Sequence, residues 1–218
     1  LSELRIGLID SNELVRVGRN LVINSQSDLR VVLEESDAQV AIQRAPDYLV
    51  DVLVVAENQH GFRGSGFVEK LSSVLGESQN NASILVLASF ATEQARWNAV
   101  QAGAADLIGM EADGASFLKA IRAIGKPGFL VDPTFVHSFG KSQPLRSVSL
   151  ELQATFDNLT ADQRSQFSLF LQGKSDFEIA RIFDVSRLRV RQLIESLIVT
   201  AGLRTRGQLS LLLRGFVK

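Results

Sequence analysis

Few of the 218 residues could do covalent or metal chemistry. The absence of cysteine excludes thiolate nucleophiles, thiolate metal sites and disulfides, a usage that fits a reducing cytoplasm. Two histidines, His60 and His137, do not make a histidine-rich metal site. What remains is charge in a pattern. Arg187, Arg189 and Arg191 alternate at the start of a helical run and are followed by Gln192 and Glu195. A helix N-terminus is the positive end of the macrodipole, so three arginines there run against the local preference. They are either a solvated basic face or the contact for an external anion, for which a nucleic-acid phosphate backbone is a candidate.

Charge along the whole chain agrees with a polyanion met by one half only. The net charge is −1, yet residues 1–135 hold 11 Lys+Arg against 17 Asp+Glu, and residues 136–218 hold 12 against 7. The composition, 45% hydrophobic and 22% charged, is that of a soluble globular protein. No apolar run reaches the ~18 residues of a membrane span. The opening LSELRIGLID lacks the basic start and long apolar stretch of a signal peptide.

The elements that must position these groups fall into two patterns. Residues 5–10, 29–34, 51–55, 83–87 and 106–108 are β-branched, apolar runs and predict strands. Amphipathic stretches at 13–24, 38–45, 67–75, 93–102 and 115–124 alternate with them and predict helices. Strict alternation implies a parallel sheet covered on both faces, with function at the carboxyl ends of its strands. Residues 133–155, rich in Pro, Gly and Ser, predict a linker, with a short helix near 150–155. The expected domains are therefore 1–132 and 156–218.

From Leu159 onward the pattern is helical. Thr160 caps a helix over 161–172 that Gly173 stops, and Ser175 with Glu178 forms a capping box for the next. Asp184-Val185-Ser186 is a tight turn, and Ser186 caps a helix over 187–201 that ends at Gly202. Two short helices across a tight turn are a helix-turn-helix candidate. Val190, Leu193, Ile194, Leu197, Ile198 and Ala201 make the core stripe of the 187–201 helix; Leu188, Gln192, Glu195, Ser196 and Val199 lie opposite. A last helix over 206–217 carries more leucines than one core stripe needs.

On Leu159-Thr160, Gly173, Ser175, Glu178-Ile179-Ala180, Val185-Ser186, Val190, Gly202-Leu203, Arg206 and Gln208, the C-terminal stretch resembles the LuxR/NarL-type DNA-binding domain. The resemblance implies a four-helix helix-turn-helix domain whose third helix enters the major groove of double-stranded DNA. Base contacts then correspond to Arg191, Gln192 and Glu195, able to meet guanine, adenine and cytosine respectively. Arg189 and Ser186 fall at backbone-contact positions, with Ser175 and Arg187 beside them. Gln163, Arg189 and Leu193 depart from the usual residues, which bears on which sequence is read. The last helix pairs subunits in that family, which implies dimer contacts at Leu209, Leu212, Leu213 and Phe216, shared with packing in the domain's own core.

Residues 4–131 resemble the receiver domain of response regulators, a flavodoxin-like (βα)5 fold, on LIDSNELVRVG, DVLVVAENQHGFRG, ILVLASF, QAGAADLI and FLKAIRAI. That family's phosphotransfer uses an aspartate acceptor, an acidic pair for Mg²⁺, a hydroxyl and a lysine. The corresponding residues here are Ala56, the pair Asp10 and Ser11, Ala88 and Met110, and the switch aromatic is Leu107. Alanine offers no nucleophile. Glu57 leaves the strand on a different side and does not replace it. The loop 57–66, with His60 and Arg63, is either a plain connection or a contact for a protein or small-molecule input. Arg96 and Trp97 sit on a helix that serves receiver domains as a partner surface, or Trp97 simply packs.

The sequence therefore implies a bacterial, cytoplasmic, homodimeric DNA-binding transcription regulator that works without aspartyl phosphorylation, with no enzymatic activity, cofactor, metal or membrane partner. The alternative is an interaction protein whose pseudo-receiver antagonises another regulator, with little DNA binding of its own.

Overall fold

In a computed structural model of the chain, the described residues are 3–57, 59–62, 65–78, 82–126, 129, 150–203 and 205–213. They separate into two units, Leu1–Pro127 and Gly128–Lys218. The first alternates β1 (Leu4–Ile9), α1 (Glu13–Asn24), β2 (Leu29–Glu35), α2 (Ala38–Arg44), β3 (Val52–Ala56), α3 (Gly66–Glu77), β4 (Ser83–Ala88), α4 (Glu93–Gln101), β5 (Asp106–Gly109) and α5 (Gly114–Ile124). The strands form one parallel sheet in the order β2-β1-β3-β4-β5, the flavodoxin-like arrangement.

Every residue of β3 is buried, because a central parallel strand is covered on both faces. Asn12, Asp37, Thr92 and Asp113 start α1, α2, α4 and α5 by accepting backbone N–H bonds, each satisfying an otherwise orphaned donor. On β1, Gly7 leaves room for Leu53, whose Cδ2 would lie 2.4 Å from an added Cβ; the β1–β2 register shifts beside it.

Helix α1 is oriented in a way that its amphipathicity does not reveal. Its polar side faces the domain: Arg16 donates to the Asp10 carbonyl at 2.6 Å, Asn20 bonds Glu34, and Asn24 accepts from the Val31 amide at 2.9 Å. Its apolar side faces out, with Leu14 82% and Leu21 67% exposed and Val17 also exposed. Ile23 is the α1 residue that is fully buried.

The second unit contains α6 (Leu150–Asp157), α7 (Ala161–Leu171), α8 (Asp176–Phe183), α9 (Arg187–Thr200) and α10 (Arg206–Leu213). Phe167, Phe170, Ile179, Val190, Ile194, Leu197 and Leu209 are among the residues of its core. The helix expected near 150–155 is α6; the linker expectation over 133–149 lies outside the described residues, as do His137 and Arg63. Among the described residues no helix is long and apolar enough to cross a membrane.

Candidate functional site

In the first unit the carboxyl ends of β1, β3, β4 and β5 lie together at one edge of the parallel sheet. Ala56 closes β3 and Ala88 closes β4, both buried. Asp10 follows β1 and is 4% exposed. Its oxygens are taken: Oδ1 accepts from the Asn12 amide at 2.8 Å, and Oδ2 from Nη1 of Arg19. Burial pushes the Arg19 guanidinium down from its ordinary value against the pull of Asp10, but an arginine keeps its charge. A guanidinium from α1 thus neutralises the carboxylate.

The residues present do not fit Mg²⁺, which requires several free hard oxygen ligands. Asp10 is engaged, Ser11 brings no carboxylate, and among the described residues no three His, Asp or Glu side chains gather where they could hold a metal. Met110, at the end of β5, has its amide on the Ala88 carbonyl at 2.8 Å and receives the Ser89 hydroxyl at its sulfur at 3.9 Å. These strand ends offer no nucleophile at Ala56 and no cation at Met110.

Gln59 is a member of this site that the sequence did not suggest. It is buried, and its Nε2 donates to the Ala56 carbonyl at 3.1 Å and to the Ile9 carbonyl at 3.4 Å. The Gln59 side chain therefore bridges the ends of β1 and β3. A glutamine in a glycine-containing loop carries no pattern that distinguishes this from solvent exposure. Exposed His60 lies nearby and has no comparable anchoring among the described residues. Trp97 is buried in its own unit rather than displayed, which corrects the partner-surface option for it, and half-buried Arg96 forms a paired contact with Asp106 at 2.6 and 3.0 Å.

The second unit presents a helix by caps at both ends of a turn. Thr160 and Gln163 form a capping box on α7, and Ser175 with Glu178 forms one on α8. Asp184, at φ 50°, takes the left-handed conformation that ends α8. Ser186 then caps α9 by accepting from the Arg189 amide at 3.2 Å. Val190, Leu193, Ile194, Leu197 and Ile198 are buried, whereas Leu188, Gln192, Glu195, Ser196 and Val199 are exposed. Both faces read from the sequence are found, with Ala201 only half-buried at the helix end.

The proposed contact residues are not equally free. Arg189, Gln192 and Glu195 are exposed. Arg187 lies over the ring of exposed Phe177 at 6.0 Å. Arg191 is half-buried, with Nε 4.0 Å from Asp176. Ser186 keeps its hydroxyl proton while accepting from Arg189, whereas the Ser175 hydroxyl donates to Glu178 at 2.9 Å. The Ser175 amide is the first cause holding the Glu178 carboxyl down, to about 2, with the Ser175 hydroxyl and Lys174 adding to it. Asp176 is buried and receives Arg206 on both oxygens, at 2.7 and 2.9 Å, a clamp between α8 and α10 that the sequence did not disclose.

The dimer residues need correction. Leu209 and Leu213, 0% and 1% exposed, belong to the unit's own core. Their burial there removes them from a partner's reach. Leu212 is half-buried at the core's edge, and Phe216 lies outside the described residues.

No family model matches the chain. It is 26% identical over 208 residues to the oxygen regulatory protein NreC of Staphylococcus aureus, covering 94% of each. It is 23% identical over 205 residues to the DNA-binding transcriptional activator DevR/DosR of Mycobacterium tuberculosis, covering 94% of this chain and 91% of that protein. The solved structure of the RcsB response regulator of Salmonella typhimurium shares the fold over 97% of both chains, with a TM-score of 0.52 at 16% identity. Along nearly its whole length the chain is therefore similar in sequence to bacterial regulatory proteins, and its fold is that of a response regulator.

Proposed function

We propose that the chain is a DNA-binding transcription regulator that acts as a homodimer and without aspartyl phosphorylation. The observation that carries the DNA reading is α9: a capped helix held by a buried stripe, with Gln192 and Glu195 outward and the three arginines near its start. Arginine can pair with guanine and glutamine with adenine in a major groove, and the arginines supply phosphate neutralisation. Support for phosphorylation independence is chemical: Ala56 has no nucleophile, and Asp10 is already paired with Arg19. The regulatory role is in keeping with the names of the relatives.

The test is a titration on a duplex selected from a random library and on a scrambled one, at several salt concentrations. Arg191→Ala or Gln192→Ala should each cost about 1–3 kcal/mol on the selected duplex and little on the scrambled one. Arg189→Ala should weaken both duplexes alike and lower the salt dependence by about one counterion. An unchanged ratio in the first two variants refutes the assigned face. Failure of the wild type on every duplex replaces this function with the interaction-protein reading, which exposed Glu195 favours because a carboxylate repels phosphate.

A further inference from the structure

Helix α1 leaves a gap beneath it. A cavity of about 290 Å³ opens between α1 and the start of α5 and descends to the sheet at Leu87. Val22 is exposed at α1, whereas Leu87 and Phe117 are buried, so the cavity runs from surface to core. Gly18, exposed on α1, stands in its lining. A Cβ built on Gly18 meets nothing within 4 Å, and its φ is not positive, so the backbone does not demand glycine. Glycine inside a helix is destabilising relative to alanine, and here it leaves open space that a larger side chain would occupy.

Among the described residues, Arg19 is the one polar side chain in this lining. Arg19 gives Nη1 to Asp10, and its Nε and Nη2 have no protein partner among the described residues. Its charge is matched by Asp10, so the wall offers N–H donors without a net charge. A neutral acceptor suits such donors; an added carboxylate would repel Asp10 across the shared guanidinium. A cavity of about 150 Å³ accepts a benzene ring, so this one suits two fused rings.

We propose that the cavity is a binding site for a small bicyclic apolar molecule bearing a carbonyl-type acceptor. The rings pack on Val22, Leu87 and Phe117, and the acceptor takes the free N–H groups of Arg19. Met110 also lines the cavity, so the site adjoins the strand ends where Ala56 and Ala88 stand. The proposal goes beyond DNA reading and does not depend on it.

The test is an amide NMR titration of the full chain with 1-tetralone. Tetralin, which lacks the carbonyl, and 1-naphthoate, which is anionic, are the comparisons. Tetralone should shift the amides of Gly18, Val22, Gly114 and Phe117 saturably. The other two should bind about tenfold or more weakly, the difference a hydrogen bond to a charged donor makes. Gly18→Leu, filling open space, should abolish binding and leave the rest of the spectrum intact. Arg19→Met should make tetralone and tetralin equal; if that variant does not fold, because Asp10 loses its partner, Gly18→Leu decides. Absence of saturable shifts with tetralone, or binding that survives Gly18→Leu, overturns the site. Naphthoate binding as tightly as tetralone overturns the neutral-acceptor assignment.

Discussion

Replacing Arg206 by methionine keeps the bulk of the side chain over Phe170, 5.7 Å from the guanidinium, but deletes both hydrogen bonds to Asp176. The carboxylate is 4% exposed and would be left charged in a poorly solvated place. Removing one partner of a buried ion pair costs about 3–5 kcal/mol. Two effects reduce the loss here. Arg191 already stands 4.0 Å away, and Asp176 begins α8, where the helix dipole contributes roughly 0.3–1 kcal/mol. A loss of about 3 kcal/mol results, or a fall of ~12–24 °C in the melting of a unit this size. The assay is urea unfolding followed by far-UV circular dichroism, with the single tryptophan, Trp97, marking the first unit's transition separately. In a double-mutant cycle with Asp176→Asn, the two losses should fall short of additivity by about 2 kcal/mol. A loss under about 1 kcal/mol, or losses that simply add, would refute the claim that this pair locks α8 to α10.

Three further outcomes are expected. Incubation with acetyl phosphate and Mg²⁺ should leave the intact mass unchanged, and a phosphoryl adduct on the first unit would contradict the reading of Ala56. Light scattering should find a dimer in solution or on a selected duplex, with Leu212→Glu shifting it toward monomer; a monomer under both conditions removes the dimer. The carboxyl of Glu178 should titrate near pH 2 by NMR, below its ordinary 4.5. Because the folded value is the lower one, the capping box contributes its full stability above the ordinary value and loses it as pH falls through about 2; a midpoint at the ordinary value would show that the Ser175 bonds do not persist in solution.

The order of strands and helices was legible because β-branched runs and amphipathic stretches have distinct periods. The α8 capping box was legible for a similar reason, since Ser175 and Glu178 stand at a spacing that only a helix start explains. What stayed hidden has a common cause. Periodicity shows that α1 is two-sided but not which side turns inward, and here Arg16, Arg19 and Asn20 displace the valines and leucines from that role. The Arg206–Asp176 clamp joins residues 30 apart, and no local pattern couples them. Gln59 becomes buried because its amide completes two carbonyls at strand ends, which only the assembled sheet brings together. Leu209 and Leu213 of α10 misled in the other direction: they counted toward an apolar excess, but a short helix packed on its own unit buries both, and Leu212 is left at the core's edge.

Both carboxylate oxygens of Asp10 already accept hydrogen bonds within the first unit. It stands where the receiver family's acidic pair holds metal, which invites a reading of residual ion binding. Its bonds give another account. Oδ1 receives the amide of Asn12, itself the cap of α1, while Oδ2 receives Arg19 from the second turn of that helix. Arg16 adds a bond to the Asp10 carbonyl. One carboxylate and its backbone therefore hold the beginning of an α1 whose apolar side faces away from the domain. Truncating Asp10 would leave Arg19 unpaired in a half-desolvated position and free the N-terminal turn. Asp10 thus has a structural role that requires no metal, and that same role keeps the guanidinium of Arg19 at the wall of the cavity beneath α1.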